Sequence, residues 1–223
     1  MKKNETINES QVKSKKRVSD HGEVFTAARE VNAMLDLVKQ ETERIDSRFL
    51  EPACGTGNFL IEILRRKLAV VCDRYAKSQL EYERYAVLAI SSMYGIDLLL
   101  DNVIECRKRL LALFEEHYSA LFKGLCKKEC IDSTRFILER NIIWGDALTL
   151  FTADKKPVPI VFSEWSPVNG SMMKRRDFKF SHLVDCAPLD GHNLFSDLGE
   201  DVFIPTPIKD FPVQHFLRLA YDE

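Results

Sequence analysis

The chain has 223 residues, 45% hydrophobic and 30% charged, with 32 Lys and Arg against 34 Asp and Glu for a net charge of −2. That composition excludes wholesale disorder and collagen-like sequence, and it leaves room for one core-forming domain of about 150–200 residues with a tail. No apolar run approaches the roughly 20 residues a membrane span requires, and the near-zero charge does not mark the whole chain as a nucleic-acid binder.

Residues 1–20 are polar and basic (Lys2, Lys3, Lys13, Lys15, Lys16, Arg17) and read as a flexible tail or a frayed first helix. They lack the apolar stretch of a secretory signal. With six cysteines in a core-rich chain, this predicts reduced thiols in a cytoplasm and no membrane association. Cys126 and Cys130 form a C-x3-C within helical sequence. With no further ligand pair they read as ordinary cysteines, and no metal is expected.

From Ala27 to about Arg44, apolar residues at Val31, Met34, Leu35 and Val38 predict a helix. Phe49 and Leu50 end a short strand, and Glu51 to Gly57 form a turn with two glycines. Asn58 stands as a natural N-cap, and Phe59, Leu60, Ile63 and Leu64 open an amphipathic helix. Strand, glycine turn and helix open a nucleotide-binding βα unit. A long helical pattern covers 66–92, Met93–Asp97 reads as a strand ending in an acid, and 100–123 is a further helix. Asn141–Asp146 repeats the strand-then-acid pattern, Lys155–Pro159 is a loop, and Phe180–Asp185 reads as a fourth strand. Beyond Asp185 glycine and proline punctuate the chain, with a last short helix expected over Val213–Ala220. Strands alternating with helices predict an α/β fold with a mostly parallel sheet, whose ligands bind at the carboxyl ends of the strands.

Gly55 and Gly57 let backbone approach a ligand closely, with the N-terminus of the next helix aimed at the same place. Asp97 can accept hydrogen bonds from both hydroxyls of a ribose, and Asp146 is placed to meet an adenine. The turn lacks the P-loop pattern, and Leu60 replaces the third glycine of G-x-G-x-x-G. Glu51 would repel a pyrophosphate, so a cofactor with a cationic amino-acid end fits better. A nucleotide-dependent oxidoreductase is disfavoured on the same grounds.

The run Phe49-Leu50-Glu51-Pro52-Ala53-Cys54-Gly55-Thr56-Gly57-Asn58-Phe59-Leu60 resembles the S-adenosylmethionine motif of DNA adenine-N6 methyltransferases, (D/E)PACG(T/S)GxFL. Gly22-Glu23-Val24-Phe25-Thr26 resembles the family's GxxYTP segment, with Ala27 in place of the proline. Tyr94–Asp97 resembles its YGxD strand and Asn141–Asp146 its xxxGD strand. The resemblance covers about residues 20–150, in order. It implies a Rossmann-like methyltransferase fold over 21–223, possibly incomplete at its C-terminus, with S-adenosylmethionine held over 21–150. The implied cofactor residues are Phe25, Thr26, Glu51, Pro52, Ala53, Cys54, Gly55, Gly57, Asn58, Phe59, Asp97 and Asp146.

The family's catalytic loop, (N/D)PP(Y/F), offers acceptors to the target amine and an aromatic platform to the flipped base. The corresponding place reads Cys186, Ala187, Pro188 and Leu189, and an alternative alignment through Trp165 and Ser166-Pro167-Val168-Asn169 does not restore the motif. The run Lys174–Lys179 reads as a solvated loop, with phosphate contact as the functional alternative. His182 reads as a satisfied core or edge histidine on the fourth strand. About 38 residues follow Asp185, fewer than a complete sheet and a target-recognition domain take. Two expectations follow. One is a methyltransferase-like protein of restriction–modification or phage defence that acts on DNA with a specificity or catalytic subunit or a second copy of itself. The other is an inactive cofactor-binding subunit that binds DNA or protein.

Overall fold

The computed structural model describes residues 13–21, 23–184 and 205–221. Helix α1 spans Lys15–His21, α2 Ala28–Asp36 and α3 Lys39–Thr42. Strand β1 (Phe49–Glu51) leads into α4 (Asn58–Tyr75) and α5 (Gln79–Ser91), and β2 (Met93–Asp97) into α6 (Leu100–Phe122) and α7 (Lys128–Asn141). Strands β3 (Ile142–Asp146) and β4 (Phe151–Thr152) complete the first sheet. The hairpin β5 (Val161–Pro167) and β6 (Met172–Lys179) is followed by α8 (Phe180–Val184), β7 (Lys209–Asp210) and β8 (Gln214–His215).

The fold is mixed α/β. A four-stranded sheet in the order β1-β2-β3-β4 is parallel through its first three strands, with β4 antiparallel to β3. Glu51 pairs with Gly95 and Asp97 with Trp144, so the carboxyl ends of the three parallel strands lie side by side. Helices α4 to α7 bury Leu60, Leu64, Leu68, Ile90, Leu110 and Ile137 in the main core with Met93. Tyr94 and Ile96 serve a second cluster with Ile160, Phe162 and Phe180 of the hairpin region. Among the described residues nothing pairs with the other edge of β1.

Several expectations are corrected. The helix expected over Ala27–Arg44 breaks at Leu37 and Val38, because Leu35 is the last apolar residue with a core to enter and Leu37 is 86% exposed. The pattern over 66–92 is two helices. Ser78 caps the second by accepting a hydrogen bond from the Glu81 backbone N–H. Phe180–Val184 is a short helix instead of a fourth strand, and His182 lies on it. The strand lies just before it: β6 ends at Lys179, with Asp177 and Phe178 buried and Lys174–Lys179 paired with β5. The basic run is therefore sheet: Arg175 is ion-paired to Asp177 and Arg176 to Glu164. The signal for this hairpin was Asn169-Gly170, the strongest short-range hairpin dipeptide, with Gly170 at φ +54°. The final helix reduces to a 3-10 turn over Phe216–Arg218, held by β8 pairing with β6 and by Phe216 buried in the main core. No helix among the described residues is long and apolar enough to cross a membrane. Residues 1–12, Asp185 and the loop Cys186 to Leu189 lie outside the described residues.

Candidate cofactor site

The site begins where β1 ends. After Glu51 the chain turns through Pro52 to Gly57, and the Cys54 backbone N–H donates to the Ile96 carbonyl at 2.9 Å, which fixes the turn to the end of β2. The Gly57 N–H closes the turn on the Cys54 carbonyl at 2.8 Å. Gly55 and Gly57 have φ of +52° and +89°, conformations that favour glycine. A Cβ on Gly57 would lie 2.6 Å from the Cys106 Sγ, so this position also needs glycine for space. The ring of Phe25 covers Gly55, 3.5 Å from where its Cβ would be.

Helix α4 starts here, but Asn58 is not its cap. Gly57 holds the cap position, and no side chain caps it. The Asn58 amide instead donates to the Thr26 carbonyl at 3.0 Å, and its Oδ1 accepts from Arg109 at 2.9 Å. Arg109 also donates to the Thr56 carbonyl and hydroxyl. Asn58 thus ties the segment around Phe25 to the glycine turn, with Arg109 of α6 as the outer latch.

Asp97, at the end of β2, is 9% exposed. Its Oδ2 accepts from the Gly55 N–H at 2.8 Å, and its Oδ1 accepts from the Leu99 N–H at 2.8 Å and the Asn102 amide at 3.2 Å. Each carboxylate oxygen can accept more than one hydrogen bond, so Asp97 shapes the turn and retains capacity toward a ligand. Asp146, one strand further, accepts from the Leu148 N–H at 2.9 Å. Glu51 accepts from the Ala53 N–H at 3.3 Å.

These residues surround one cavity of about 600 Å³. Every residue assigned to the cofactor from the sequence lines it except Gly57, which lies behind the turn against Cys106. Glu23, Leu98, Leu99, Asn102 and Leu148 line it as well and were not assigned from the sequence. Asn102 had a legible signal, a polar residue in the first turn of the helix after a strand-end acid. Glu23 had none beyond its place before Phe25.

The charge of the cavity is one-sided. Glu23, Glu51, Asp97 and Asp146 line it, and among the described residues no lysine or arginine does, with Arg17 pairing to Glu23 from behind the wall. Burial pushes the Glu23 carboxyl up, but hydrogen bonds from Arg17 and Asn102 outweigh it and hold the group below the ordinary carboxylate value. The Cys54 thiol is pushed far up by its contact with Cys106 and by burial, so it stays protonated and does not serve as a nucleophile.

The alternative catalytic residues lie elsewhere. Trp165 is 4% exposed and donates its indole N–H to Asn141 Oδ1 at 3.2 Å, at the amino end of β3. Its ring packs edge-on against Phe136, so it offers no platform for a base. Asn169 sits at the exposed hairpin tip. Cys130 is buried in α7 and Cys126 precedes it, and no metal-binding cluster occurs among the described residues. No family model, curated protein or solved structure matches the chain.

Proposed function

We propose that this cavity binds S-adenosylmethionine, in a Rossmann-like methyltransferase fold akin to that of the DNA adenine-N6 enzymes. The observation that carries the reading is the lining of four acidic residues, with no basic side chain among the described residues, around a glycine turn at the ends of three parallel strands. A dinucleotide brings a pyrophosphate, which four carboxylates would repel. A sulfonium and an α-ammonium are cations, and the same carboxylates attract them. Glu51 faces the sulfonium end, Asp97 the ribose hydroxyls, and Asp146 with Leu148 the adenine. Phe25, Thr26, Pro52, Ala53, Cys54, Gly55, Asn58 and Phe59 complete the wall. Isothermal titration tests this: the methionine cofactor binds and NAD does not, and the reverse order would sink the reading.

Within a restriction–modification or phage-defence system, cytoplasmic and acting on DNA, two roles remain for a chain that holds this cofactor. As a transferase it would bring a target amine in line with the sulfonium methyl, by positioning and by stabilising positive charge on nitrogen. As a cofactor-binding subunit it would leave that chemistry to a partner. The second role is favoured by the hairpin, short helix and buried Trp165 found where a catalytic strand and aromatic were sought. Cys186 and Leu189 also supply neither a strong side-chain acceptor nor a stacking ring. Tritium transfer from labelled cofactor to mixed DNA separates the roles. The purified chain alone should be slower than a complete enzyme by about three orders of magnitude, from lost stacking and one lost transition-state hydrogen bond.

A further inference from the structure

The N-terminal helix reaches the cavity through a chain of polar contacts that the cofactor reading does not require. Arg17 of α1 donates to both carboxylate oxygens of Glu23, at 2.5 and 2.8 Å. Its other contacts are with Asp101 at 2.6 and 3.1 Å and with the Asn102 Oδ1 at 3.2 Å. Lys13 donates to Asn102 Oδ1 at 2.7 Å and to Asp101 at 3.1 Å, and its ammonium lies 5.8 Å from the centre of the Phe25 ring. On the inner side, the Asn102 amide donates to Glu23 at 2.7 Å and to Asp97 at 3.2 Å. The buried Asn102 is therefore oriented from outside by two cations and orients, on its inner side, the acid that holds the Gly55 N–H.

The charges give this arrangement a direction. The side chain of Glu23 is only 7% exposed and stands in a wall that holds three further carboxylates. Arg17 is its ion-pair partner from behind the wall. Without that partner, a desolvated carboxylate in an acidic cavity keeps, among the described side chains, the hydrogen bond from Asn102 and the weaker pull of Lys13, and the pull on Asn102 is no longer balanced.

We propose that α1 is an electrostatic clasp on the cofactor cavity, in which Arg17 acts as a positioning residue that holds Glu23, Asn102 and, through them, Asp97 in the geometry that receives the ligand. The inference rests on the cofactor reading above. Because the clasp is an ion-pair cluster at the protein surface, salt weakens it. Because it acts on the wall of the cavity, closing it raises affinity for whatever the wall contacts.

The test is titration of S-adenosylhomocysteine, which carries no net charge at neutral pH, into the full chain and its Arg17→Ala and Arg17→Lys variants at low and high salt. Arg17→Ala should bind about tenfold more weakly at low salt, within the range one coupling supplies. Arg17→Lys should recover part of that loss, and high salt should weaken the wild-type chain toward Arg17→Ala while leaving Arg17→Ala unchanged. Should Arg17→Ala not fold, Arg17→Gln keeps a side chain of similar length while removing its charge, and must show a loss in the same direction and the same lost salt dependence. Wild-type affinity in these variants at both salt concentrations would overturn the clasp alone. A wild-type chain that binds no S-adenosylhomocysteine would overturn the cofactor reading and the clasp with it.

Discussion

Between Phe49 and Asp146 the three strands run parallel and each ends at a residue that lines the cavity, whereas among the described residues from Val161 to His215 the pairings are antiparallel and Phe162, Trp165, Met173 and Phe178 are buried in packing. Both regions bury acids. In the first, Asp97 binds backbone N–H groups at the mouth of a cavity. In the second, Asp177 is matched by Ser163 and Arg175, with Arg175 packed over the Phe211 ring. One acid shapes a surface that can receive a ligand, and the other closes a junction within the fold. Asp97 stands at a strand end behind a glycine turn that leaves space in front of it, whereas Asp177 lies within β6 and is covered by its partners.

Substitutions can separate the two regions. Trp165→Ala should have the largest effect on stability, about 3–5 kcal/mol in chemical denaturation, as for other large core aromatics, because it removes a buried ring and leaves Asn141 Oδ1 without its indole donor. Its cofactor affinity should stay at the wild-type value, since no contact of Trp165 reaches the cavity. Gly57→Ala attacks the other region. Alanine in the left-handed conformation costs about 1–2 kcal/mol, and its overlap with Cys106 adds about 1–3 kcal/mol. Denaturation should show that loss, and titration should show cofactor binding abolished. A Gly57→Ala chain that binds normally would mean that the turn does not build the site.

Asp97→Ala should weaken cofactor binding by about 1.5–3 kcal/mol, the range for hydrogen bonds to a charged group. It should also lower stability, because the Gly55 and Leu99 N–H groups lose their acceptor. The smallest effect, taken per pH unit, concerns Lys67, buried at the opposite end of the parallel strands, where it donates to the Ile45 and Ser47 carbonyls and to Ser92. Burial pushes its pKa from 10.5 down to about 7. Between those values the unfolded chain holds more protons than the folded one, so stability rises with pH through that window, by up to about 1.4 kcal/mol per pH unit. Lys67→Met should flatten that slope in denaturation curves while leaving the cavity unaffected, and an unchanged slope would place its cause elsewhere.

The legible part of the fold was the part with local signals. Glu51 to Gly57 announced a turn through its two glycines, and Asp97 and Asp146 announced strand ends because each closes a short apolar run. The hairpin was hidden because β6 is written as Lys174-Arg175-Arg176-Asp177, a run that looks solvated. Its charges are absorbed by Asp177 two residues along the same strand, by Glu164 on β5 and by Asp210 on β7. Ser78-Gln79-Leu80-Glu81 and Asn169-Gly170 did carry boundary signals, a helix cap and a hairpin turn. Most residues that line the cavity were legible, Glu23 and Leu148 excepted, and those that hold them were not. Arg109 and Arg17 act across long sequence separations through side-chain geometry, which no spacing rule encodes.

The central claim is that one acidic cavity, framed by Glu51, Asp97 and Asp146, takes the methionine cofactor. Photo-crosslinking of radiolabelled S-adenosylmethionine, with peptide mapping and competition by S-adenosylhomocysteine or NAD, tests it most directly. The account predicts label in the peptides carrying Phe25, Glu51 to Phe59, or Gly145 to Leu148, lost with S-adenosylhomocysteine and retained with NAD. Label confined to the hairpin region, or removed by NAD and not by S-adenosylhomocysteine, would contradict it.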